Sequence, residues 1–271
     1  MRPWYLAPDE RAEDDKMRLA ICSSKGGVGK TSTAVNLATV FGTRGRTLAV
    51  DADPQDSLGR AFGIVAGAND SLAAVLGDPD ADIASVIRRD VVPGVDVVPA
   101  HPSLEAVGVT LAQNGALATS LRRALRPVFD DYETIVIDTH GDNGNLTLAA
   151  IAAADAVLTV YTSDPGSALG AVRLSSFLAN HRKYENTNAE LLGVACANWD
   201  RHAAAAREVA EALDATDLPL FDTRIPNSRR VPSATLAKRP VVLTAPNSPV
   251  AEAYRDLAGE VAKRYEQGSR A

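Results

Sequence analysis

The sequence is poor in cysteine and in aromatic residues. Only two of its 271 residues are cysteines, Cys22 and Cys196, and neither has a CxxC partner or a neighbouring histidine. This excludes a disulfide framework and argues against a cysteine-based metal site. Aromatic residues make up 5% of the chain, which argues against a surface that stacks single-stranded bases on aromatic rings.

The chain also lacks an excess of positive charge. With 28 Lys and Arg residues against 34 Asp and Glu residues, its formal net charge is −6. A basic coat for nucleic acid is therefore excluded, and any DNA contact must come from a local patch. One candidate lies in residues 222–240, where a single acid, Asp222, accompanies five cations. A solvated loop whose arginines pair with nearby carboxylates is the alternative. The five cations are Arg224, Arg229, Arg230, Lys238 and Arg239.

No segment resembles a targeting signal or a membrane span. Residues 1–16 are acidic and contain proline, without an apolar core after a basic start. The apolar stretch from Leu146 to Thr162 is interrupted by Asp155 and is too short to cross a bilayer. We therefore expect a cytoplasmic protein without a membrane contact. We also expect a flexible N-terminal arm at 1–16 and a single domain at 17–271.

Short apolar runs typical of buried strands alternate with runs of helical period. Apolar strands separated by helices indicate a parallel sheet covered on both faces. The predicted fold class is therefore α/β: a doubly wound, mainly parallel, twisted sheet that binds ligands at the carboxyl ends of its strands. The predicted strands are 18–24, 47–53, 95–100, 132–139, 156–162 and 191–198, with a short strand segment at 218–223. The predicted helices are 30–41, 116–126, 144–154, 167–180, 203–214 and 250–265, with short amphipathic pieces at 71–76 and 82–89.

The strongest motif is SKGGVGKTS at residues 24–32, between the first strand and the first helix. Its glycines let the backbone fold tightly so that N–H groups point at phosphate, and the helix N-terminus adds positive potential. Lys30 adds a cation and the Thr31 hydroxyl a ligand for Mg²⁺, which is the chemistry of a P-loop. The plain P-loop pattern has glycine at position 24. This chain has Ser24 there, followed by a second lysine, Lys25.

Two further strands end in acids. Asp51 and Asp53 end the second strand, and an i, i+2 spacing on a strand points both the same way. One can hold a metal-bound water while the other orients the attacking water. Asp138 follows the apolar run 135–137, the Walker B pattern for an acid near Mg²⁺. A simple turn or helix cap is the alternative for such acids, and their place beside the P-loop favours the catalytic interpretation.

The order of these motifs resembles that of the ParA/MinD group of P-loop ATPases. The resemblance rests on KGGVGKTST with its extra lysine, on DADPQDS, and on the strand-terminal Asp138. It continues through residues 146–160, 225–241 and 246–261, which look like the later segments of partition ParA proteins. It therefore covers the chain from about residue 17 to its end, and the deviant loop makes it specific.

The resemblance implies an ATPase that is slow without its partner and uses ATP or ADP and Mg²⁺ as cofactors. Such a protein forms a homodimer on ATP, binds double-stranded DNA nonspecifically, and is stimulated by a ParB-type partner. Its place is cytoplasmic and nucleoid-associated. Carried over by position, Lys25 reaches the phosphates across the dimer, Lys30 binds those of its own subunit, and Asp53 positions the water.

The motifs and the resemblance together give four groups of candidate residues. Lys25, Lys30 and Asp53 are the catalytic candidates, and Thr31, Asp51 and Asp138 are the metal candidates. The nucleotide-binding candidates are Lys25, Gly26, Gly27, Val28, Gly29, Lys30, Thr31, Ser32 and Pro226. The DNA-binding candidates are Arg201, Arg229, Arg230 and Lys238, with His202 as an alternative to Arg201.

Two segments depart from the family pattern. Thr139-His140-Gly141-Asp142 stands where the family has a Cys/Thr-Pro-Pro turn, and Tyr161-Thr162-Ser163-Asp164 stands where it has a Pro-x-Gln-Pro run. Both segments border the nucleotide and the dimer interface in the family. His140 suggests a catalytic base, but a locally hydrogen-bonded loop histidine is the interpretation we favour.

Other functions of related proteins are alternatives. A MinD-type membrane ATPase ends in a basic amphipathic helix, and the tail after Val261 lacks the bulky apolar face. An iron-sulfur reductase of this fold has cysteines after the Walker B acid, and this chain has none there. The runner-up is a ParA-like ATPase that positions a protein cargo, such as a carboxysome or a chemotaxis cluster. A third candidate is an ATP-gated switch with little hydrolysis.

Overall fold

The computed structural model describes residues 16–141, 144–184 and 186–268, which form layers around an eight-stranded sheet. The strand order is β3-β4-β2-β5-β1-β6-β7-β8, and every neighbouring pair is parallel except β3 and β4. The predicted fold class is confirmed. The predicted arm at 1–16 lies outside the described residues, apart from Lys16. The strands are β1 (Met17–Cys22), β2 (Thr47–Ala52), β3 (Arg88–Val92), β4 (Val95–Val98), β5 (Thr134–Thr139), β6 (Ala156–Tyr161), β7 (Glu190–Trp199) and β8 (Leu220–Pro226).

Helices connect the strands and cover the sheet on both faces. In the described ranges, no helix is both long enough and apolar enough to cross a membrane. The helices are α1 (Lys30–Gly42), α2 (Ser57–Ala61), α3 (Leu72–Gly77), α4 (Leu104–Gln113), α5 (Leu117–Leu125), α6 (Asn145–Ala153), α7 (Pro165–Lys183), α8 (Ala204–Asp214), α9 (Arg230–Leu236), α10 (Val241–Thr244) and α11 (Pro249–Gly268).

Alternate residues of the central strand β1 enter the cores on opposite faces of the sheet. Leu19 and Ile21 belong to the apolar cluster that contains α1 and α11. Ala20 and Cys22 belong to the cluster that contains residues of α6 and α7. All four side chains are fully buried. A strand buried on both faces is apolar throughout, which is why the sequence pattern identifies these strands.

The sheet brings the P-loop and the predicted acids to one edge. Strand β1 lies between β5 and β6, and the register places Asp138 of β5 beside Ile21 of β1 and beside Asp51 of β2. The strands from β2 to β5 lie on one side of β1, and those from β6 to β8 lie on the other. The carboxyl end of β1 is therefore the switch point at which doubly wound sheets bind their ligands.

Several elements differ from the sequence-based predictions. Residues 82–89, predicted as an amphipathic piece, form a 3₁₀ turn (Ile83–Val86) followed by the start of β3. Strand β3 lies at the edge of the sheet and is rich in charged residues. Its sequence therefore has no apolar run that predicts a strand, and only its pairing with β4 identifies it. Helix α9 buries only Ala234, and α4 buries Leu104, Gly108 and Leu111. The single buried position of α9 leaves no period to detect. The buried positions of α4 have the i, i+4, i+7 spacing of a helix, but one of them is a glycine, and neither helix was predicted.

Helix α11 is attached to the edge of the sheet through Arg264. Its guanidinium donates to the carbonyl oxygens of Leu192 (3.0 Å), Pro219 (2.9 Å) and Leu220 (2.8 Å). The same group lies 4.2 Å above the ring of Phe221. The planar guanidinium of this one arginine thus joins α11 to β7 and to the start of β8. The other end of β8 borders the nucleotide cavity.

We expect Arg264→Ala to lower the free energy of unfolding by about 2 kcal/mol, because it removes charge-assisted hydrogen bonds to three carbonyl groups. Lys263→Ala, at an exposed position on the same helix, is the matched control, with an expected change within about 0.5 kcal/mol. Equilibrium unfolding in urea measures both variants. Equal stability of the two would contradict the role given to Arg264.

Candidate nucleotide site

The P-loop has the conformation that its glycines permit. Gly27 and Gly29 have φ angles of +75° and +94°, a region that disfavours residues with a Cβ. Gly29 is also the residue from which α1 begins. A Cβ on Gly26 or Gly27 would meet no atom within 4 Å. The loop therefore presents an open backbone cradle at the N-terminus of a helix, where phosphate binds.

Lys30 is a buried cation inside this loop. Its side chain donates to Ser23 Oγ at 3.1 Å and to the carbonyl oxygen of Lys25 at 3.4 Å, and the residue is 6% exposed. Among the described residues, no carboxylate forms an ion pair with it. A buried ammonium bound to neutral oxygens retains most of its attraction for an anion. This environment fits the phosphates of a nucleotide.

Asp138 is fully buried, and neither of its carboxylate oxygens has a partner in good hydrogen-bond geometry among the described residues, although the Thr31 hydroxyl and the Thr139 backbone N–H lie near it. Burial raises the pKa of Asp138, while the Thr31 hydroxyl and the Lys30 ammonium lower it. An unpartnered carboxylate in the interior costs several kcal/mol, which a cation offsets. Thr31 and Asp138 therefore fit a Mg²⁺ ion. No group of three or more His, Cys, Asp or Glu ligands occurs in the described part of the chain.

Asp51 has a different environment from the one that its spacing suggests. Its Oδ1 accepts from the backbone N–H of Asp53 at 3.1 Å, and its Oδ2 accepts from those of Leu58 at 2.9 Å and Gly59 at 3.0 Å. Burial raises the pKa of Asp51, and the neighbouring Asp138 carboxylate raises it further. Three backbone donors thus occupy this carboxylate and secure the loop before α2. This placement disfavours a direct Mg²⁺ contact, and the metal role of Asp51 stays a prediction.

Asp53 lies just beyond β2 and is 7% exposed. Its Oδ1 accepts from the backbone N–H of Gln55 at 2.9 Å and lies 2.9 Å from Nδ1 of His140. The favoured interpretation of His140 as a locally bonded loop residue is wrong in one respect, because its partner is 87 residues away in the sequence. Asp53 and His140 line one cavity of about 540 Å³ with Gly26, Lys30 and Thr31.

A second cavity, of about 1120 Å³, adjoins the first and shares Gly27, Gly29 and Ser32 with it. Pro226 lines this second cavity. The two cavities together bring most of the predicted nucleotide-binding residues to one region. Val28 differs from the others, because its side chain is 3% exposed and packs in the core beside α1. Only its backbone is available to a nucleotide.

Lys25 is paired within its own chain. Its Nζ donates to Oδ2 of Asp164, and both side chains are about half exposed. The Lys25 ammonium holds the pKa of the Asp164 carboxyl below its usual value. Asp164 also begins α7 by accepting from the backbone N–H of Ser167. The segment that departs from the family pattern at 161–164 therefore holds the lysine that distinguishes the loop.

Four predicted DNA contacts are exposed and lie after β7 and at the two ends of α9. The backbone N–H of Asn227 donates to the carbonyl of Trp199 at 2.9 Å, which joins the segments that follow β7 and β8. Arg224 stacks 4.3 Å above the Trp199 ring instead of joining the cluster. In the described ranges, no member of the cluster forms an ion pair. We call the exposed set of Arg201, Arg229, Arg230 and Lys238 the basic cluster.

A phosphate cradle at the switch point of a doubly wound sheet, with a buried lysine and an unpartnered acid beside it, defines a P-loop nucleotide-binding protein. Comparison with known proteins narrows the class. A family model described as an AAA domain matches residues 17–191. The chain belongs to the ParA/MinD family of P-loop ATPases, as its relatives show.

Two of these relatives are similar over most of their length. The sporulation initiation inhibitor protein Soj of Bacillus subtilis is 33% identical over 247 residues, which cover 90% of this chain and 97% of Soj. The chromosome-partitioning ATPase Soj of Thermus thermophilus is 34% identical over 252 residues, which cover 92% and 97%. The predicted family and the predicted ATPase activity are thereby confirmed.

Solved structures agree with this placement. Apo McdA of Cyanothece superposes with a TM-score of 0.82 at 22% identity, over 91% of this chain and 99% of McdA, which shows the fold. Cobyrinic acid a,c-diamide synthase of Mycobacterium smegmatis with ADP and magnesium has a TM-score of 0.80 at 25% identity, over 93% and 96%. MinD of Pyrococcus horikoshii with Mg-ADP has a TM-score of 0.76 at 25% identity, over 91% and 96%. These complexes agree with the predicted cofactors, ATP or ADP and Mg²⁺.

Two contacts of the site were missed by sequence reasoning. The Lys25–Asp164 pair joins residues 139 positions apart, and the Asp53–His140 pair joins residues 87 positions apart. The available signal was indirect. Both Asp164 and His140 lie in the two segments that depart from the family pattern, so those departures mark altered contacts at the site.

We expect Lys30→Ala to lower the affinity for ATP by about 100-fold or more, because each hydrogen bond to a charged group contributes about 1.5–3 kcal/mol. Lys25→Ala is the matched control, since it removes the other lysine of the same loop and is expected to retain ATP binding. Isothermal titration with Mg-ATP measures both. Undiminished binding by Lys30→Ala would contradict the P-loop assignment.

Proposed function

We propose that this protein is a partition ATPase that dimerises on ATP, binds double-stranded DNA without sequence preference and is stimulated to hydrolyse ATP by a ParB-type partner. It acts in the cytoplasm, in association with the nucleoid. The proposal is supported by the relatives named for chromosome partitioning. The observation that carries it is the exposed basic cluster, whose members form no ion pair within the described residues and one of which, Arg229, lines the second cavity.

We assign a task in hydrolysis to each side chain of the nucleotide site. The backbone of residues 26–29 and the Lys30 ammonium bind the phosphates. Thr31 and Asp138 would hold Mg²⁺, which when bound would offset negative charge on the phosphate oxygens. Asp53 orients the attacking water, because its carboxylate is enclosed and lies on the same cavity as Lys30 and Thr31. Pro226 and its neighbours at the end of β8 border the remainder of the nucleotide.

Lys25 links nucleotide binding to dimerisation. Two triphosphates that face each other across an interface repel, and a lysine from each subunit offsets that repulsion. In this structure Lys25 binds Asp164 of its own chain. The lysine must leave Asp164 to reach the nucleotide across the dimer, so ATP binding by a partner subunit competes with this exposed ion pair.

We expect Lys25→Gln to bind ATP and remain monomeric, because it lacks the cation that offsets phosphate repulsion. Asp164→Asn is expected to dimerise at a lower protein concentration than the wild type, because Lys25 is then unpaired, and asparagine still serves as an N-cap for α7. Light scattering with a non-hydrolysable ATP analogue, across a protein dilution series, measures both. A fully dimeric Lys25→Gln variant would contradict the role of Lys25.

The basic cluster provides the DNA contact. Its members lie beyond the ends of β7 and β8 and on α9, at the same edge of the sheet as the nucleotide. Arg229 lines the second cavity, so the cluster adjoins the nucleotide site. A monomer with few cations holds phosphate weakly. Dimerisation on ATP doubles the number of phosphate contacts, so the affinity for DNA rises when ATP is bound. Because phosphate contacts release counterions, the same affinity falls steeply as the salt concentration increases.

We expect Arg230→Glu to abolish ATP-dependent DNA binding while ATP affinity stays that of the wild type. Each lost phosphate contact lowers the slope of log affinity against log salt by about 0.9. Arg123→Glu makes the same charge change at an exposed position on α5. The buried face of this helix packs in the apolar core around β2 and β5. It serves as the charge-matched control and should bind DNA nearly as the wild type does.

The measurement is DNA affinity against salt concentration, with ATP and with ADP, for the wild type and both variants. Equal DNA affinity of the ATP and ADP forms would contradict the proposed dependence of DNA binding on ATP. If Arg230→Glu bound like Arg123→Glu, the cluster would be a solvated surface and the proposed function would fail.

A further inference from the structure

The side chain of His140 joins Asp53 to the segment that follows β5. Its Nδ1 lies 2.9 Å from Oδ1 of Asp53. Position 140 is one at which the family pattern has proline, whose side chain has no hydrogen-bond donor. The resemblance to the family therefore gives no expectation of this contact.

The contact restricts how the Asp53 carboxylate can turn. Its Oδ1 is approached from two directions, by the Gln55 backbone N–H at 2.9 Å and by His140 Nδ1 at 2.9 Å. Within the described residues, these are the hydrogen bonds that the carboxylate makes, and both fall on the same oxygen. Oδ2 is then the oxygen that can accept from a water molecule in the cavity.

The direction of the hydrogen bond follows from the chemistry of its two groups. An ionised carboxylate only accepts, so Nδ1 of His140 carries the hydrogen and donates it to Asp53. A donor held on one oxygen fixes the orientation of the carboxylate plane. In a catalytic triad an aspartate orients a histidine through the same kind of hydrogen bond, whereas here the histidine orients the aspartate.

The backbone that carries His140 is itself fixed on both sides. The preceding residue, Thr139, is fully buried and donates from Oγ1 to the carbonyl oxygen of Ile21 at 2.9 Å. The following residue, Gly141, packs on the P-loop so closely that a Cβ there would lie 2.7 Å from the backbone N and Cα of Gly26. His140 therefore reaches Asp53 from a rigid support that also contacts the phosphate cradle.

We propose that His140 is a positioning residue for ATP hydrolysis, which holds the Asp53 carboxylate through Nδ1 so that Oδ2 faces the attacking water. The inference rests on the proposed role of Asp53 in orienting that water. His140 acts through Asp53, so its loss leaves nucleotide binding in place and lowers the rate of the chemical step.

Three substitutions at one position separate the two ring nitrogens. Asparagine places an amide donor near the position of Nδ1, glutamine places one nearer to that of Nε2, and alanine removes both. We expect His140→Ala and His140→Gln to lower single-turnover hydrolysis of Mg-ATP by about tenfold or more, as a misplaced group does. His140→Asn is expected to restore most of the rate. The Kd for ATP and the Tm should change little in all three variants.

The double variant Asp53→Ala/His140→Ala tests whether His140 acts through Asp53. We expect it to be no slower than Asp53→Ala alone, because residues that act as a unit are not additive. A further loss in the double variant would overturn the inference. So would restoration by His140→Gln instead of His140→Asn, which would assign the role to Nε2, and so would a His140→Ala variant with the wild-type rate.

Asp53→Ala alone distinguishes this inference from the proposed function. If Asp53→Ala hydrolyses ATP at the wild-type rate, the water-orienting role of Asp53 fails and the inference about His140 fails with it. If Asp53→Ala is inactive while His140→Ala is fully active, the role of Asp53 stands and only the positioning role of His140 fails.

Discussion

The buried carboxylate of Asp138 is the constraint on which the site depends. It has no partner in good hydrogen-bond geometry among the described residues, and it lies beside a second buried acid, Asp51, in the register of two neighbouring strands. Such an arrangement is stable only with compensating positive charge. Asp51 is compensated by three backbone N–H groups, whereas Asp138 has the Lys30 ammonium nearby and a position for Mg²⁺. A bound Mg²⁺ would supply the compensating charge that Asp138 lacks.

The same edge of the sheet connects phosphate binding to water positioning. Gly141 packs against Gly26 of the phosphate cradle, and the adjacent His140 binds Asp53. These two contacts join the phosphate cradle to the segment that contacts the Asp53 carboxylate. Rigid contacts of this kind keep a reacting group within the small tolerance that hydrolysis requires.

Charge is distributed unevenly in this acidic chain. The basic cluster and Lys25 both lie near the nucleotide, and Lys25 is bound by Asp164. An ion pair between half-exposed side chains is weak in water and is readily exchanged for a stronger partner. In the proposed dimer, the triphosphate of a second subunit would be such a partner.

Local sequence determined the strands, the P-loop and the Walker B acid, because buried strands are apolar on both faces and phosphate loops require glycines at left-handed positions such as Gly27 and Gly29. It did not determine β3 or α9, whose few buried residues leave no periodic pattern. Only the tertiary structure decided that Asp51 binds backbone N–H groups, that Asp164 holds Lys25 and that His140 holds Asp53. These contacts join residues on different strands and loops, and the order and register of the sheet bring them together.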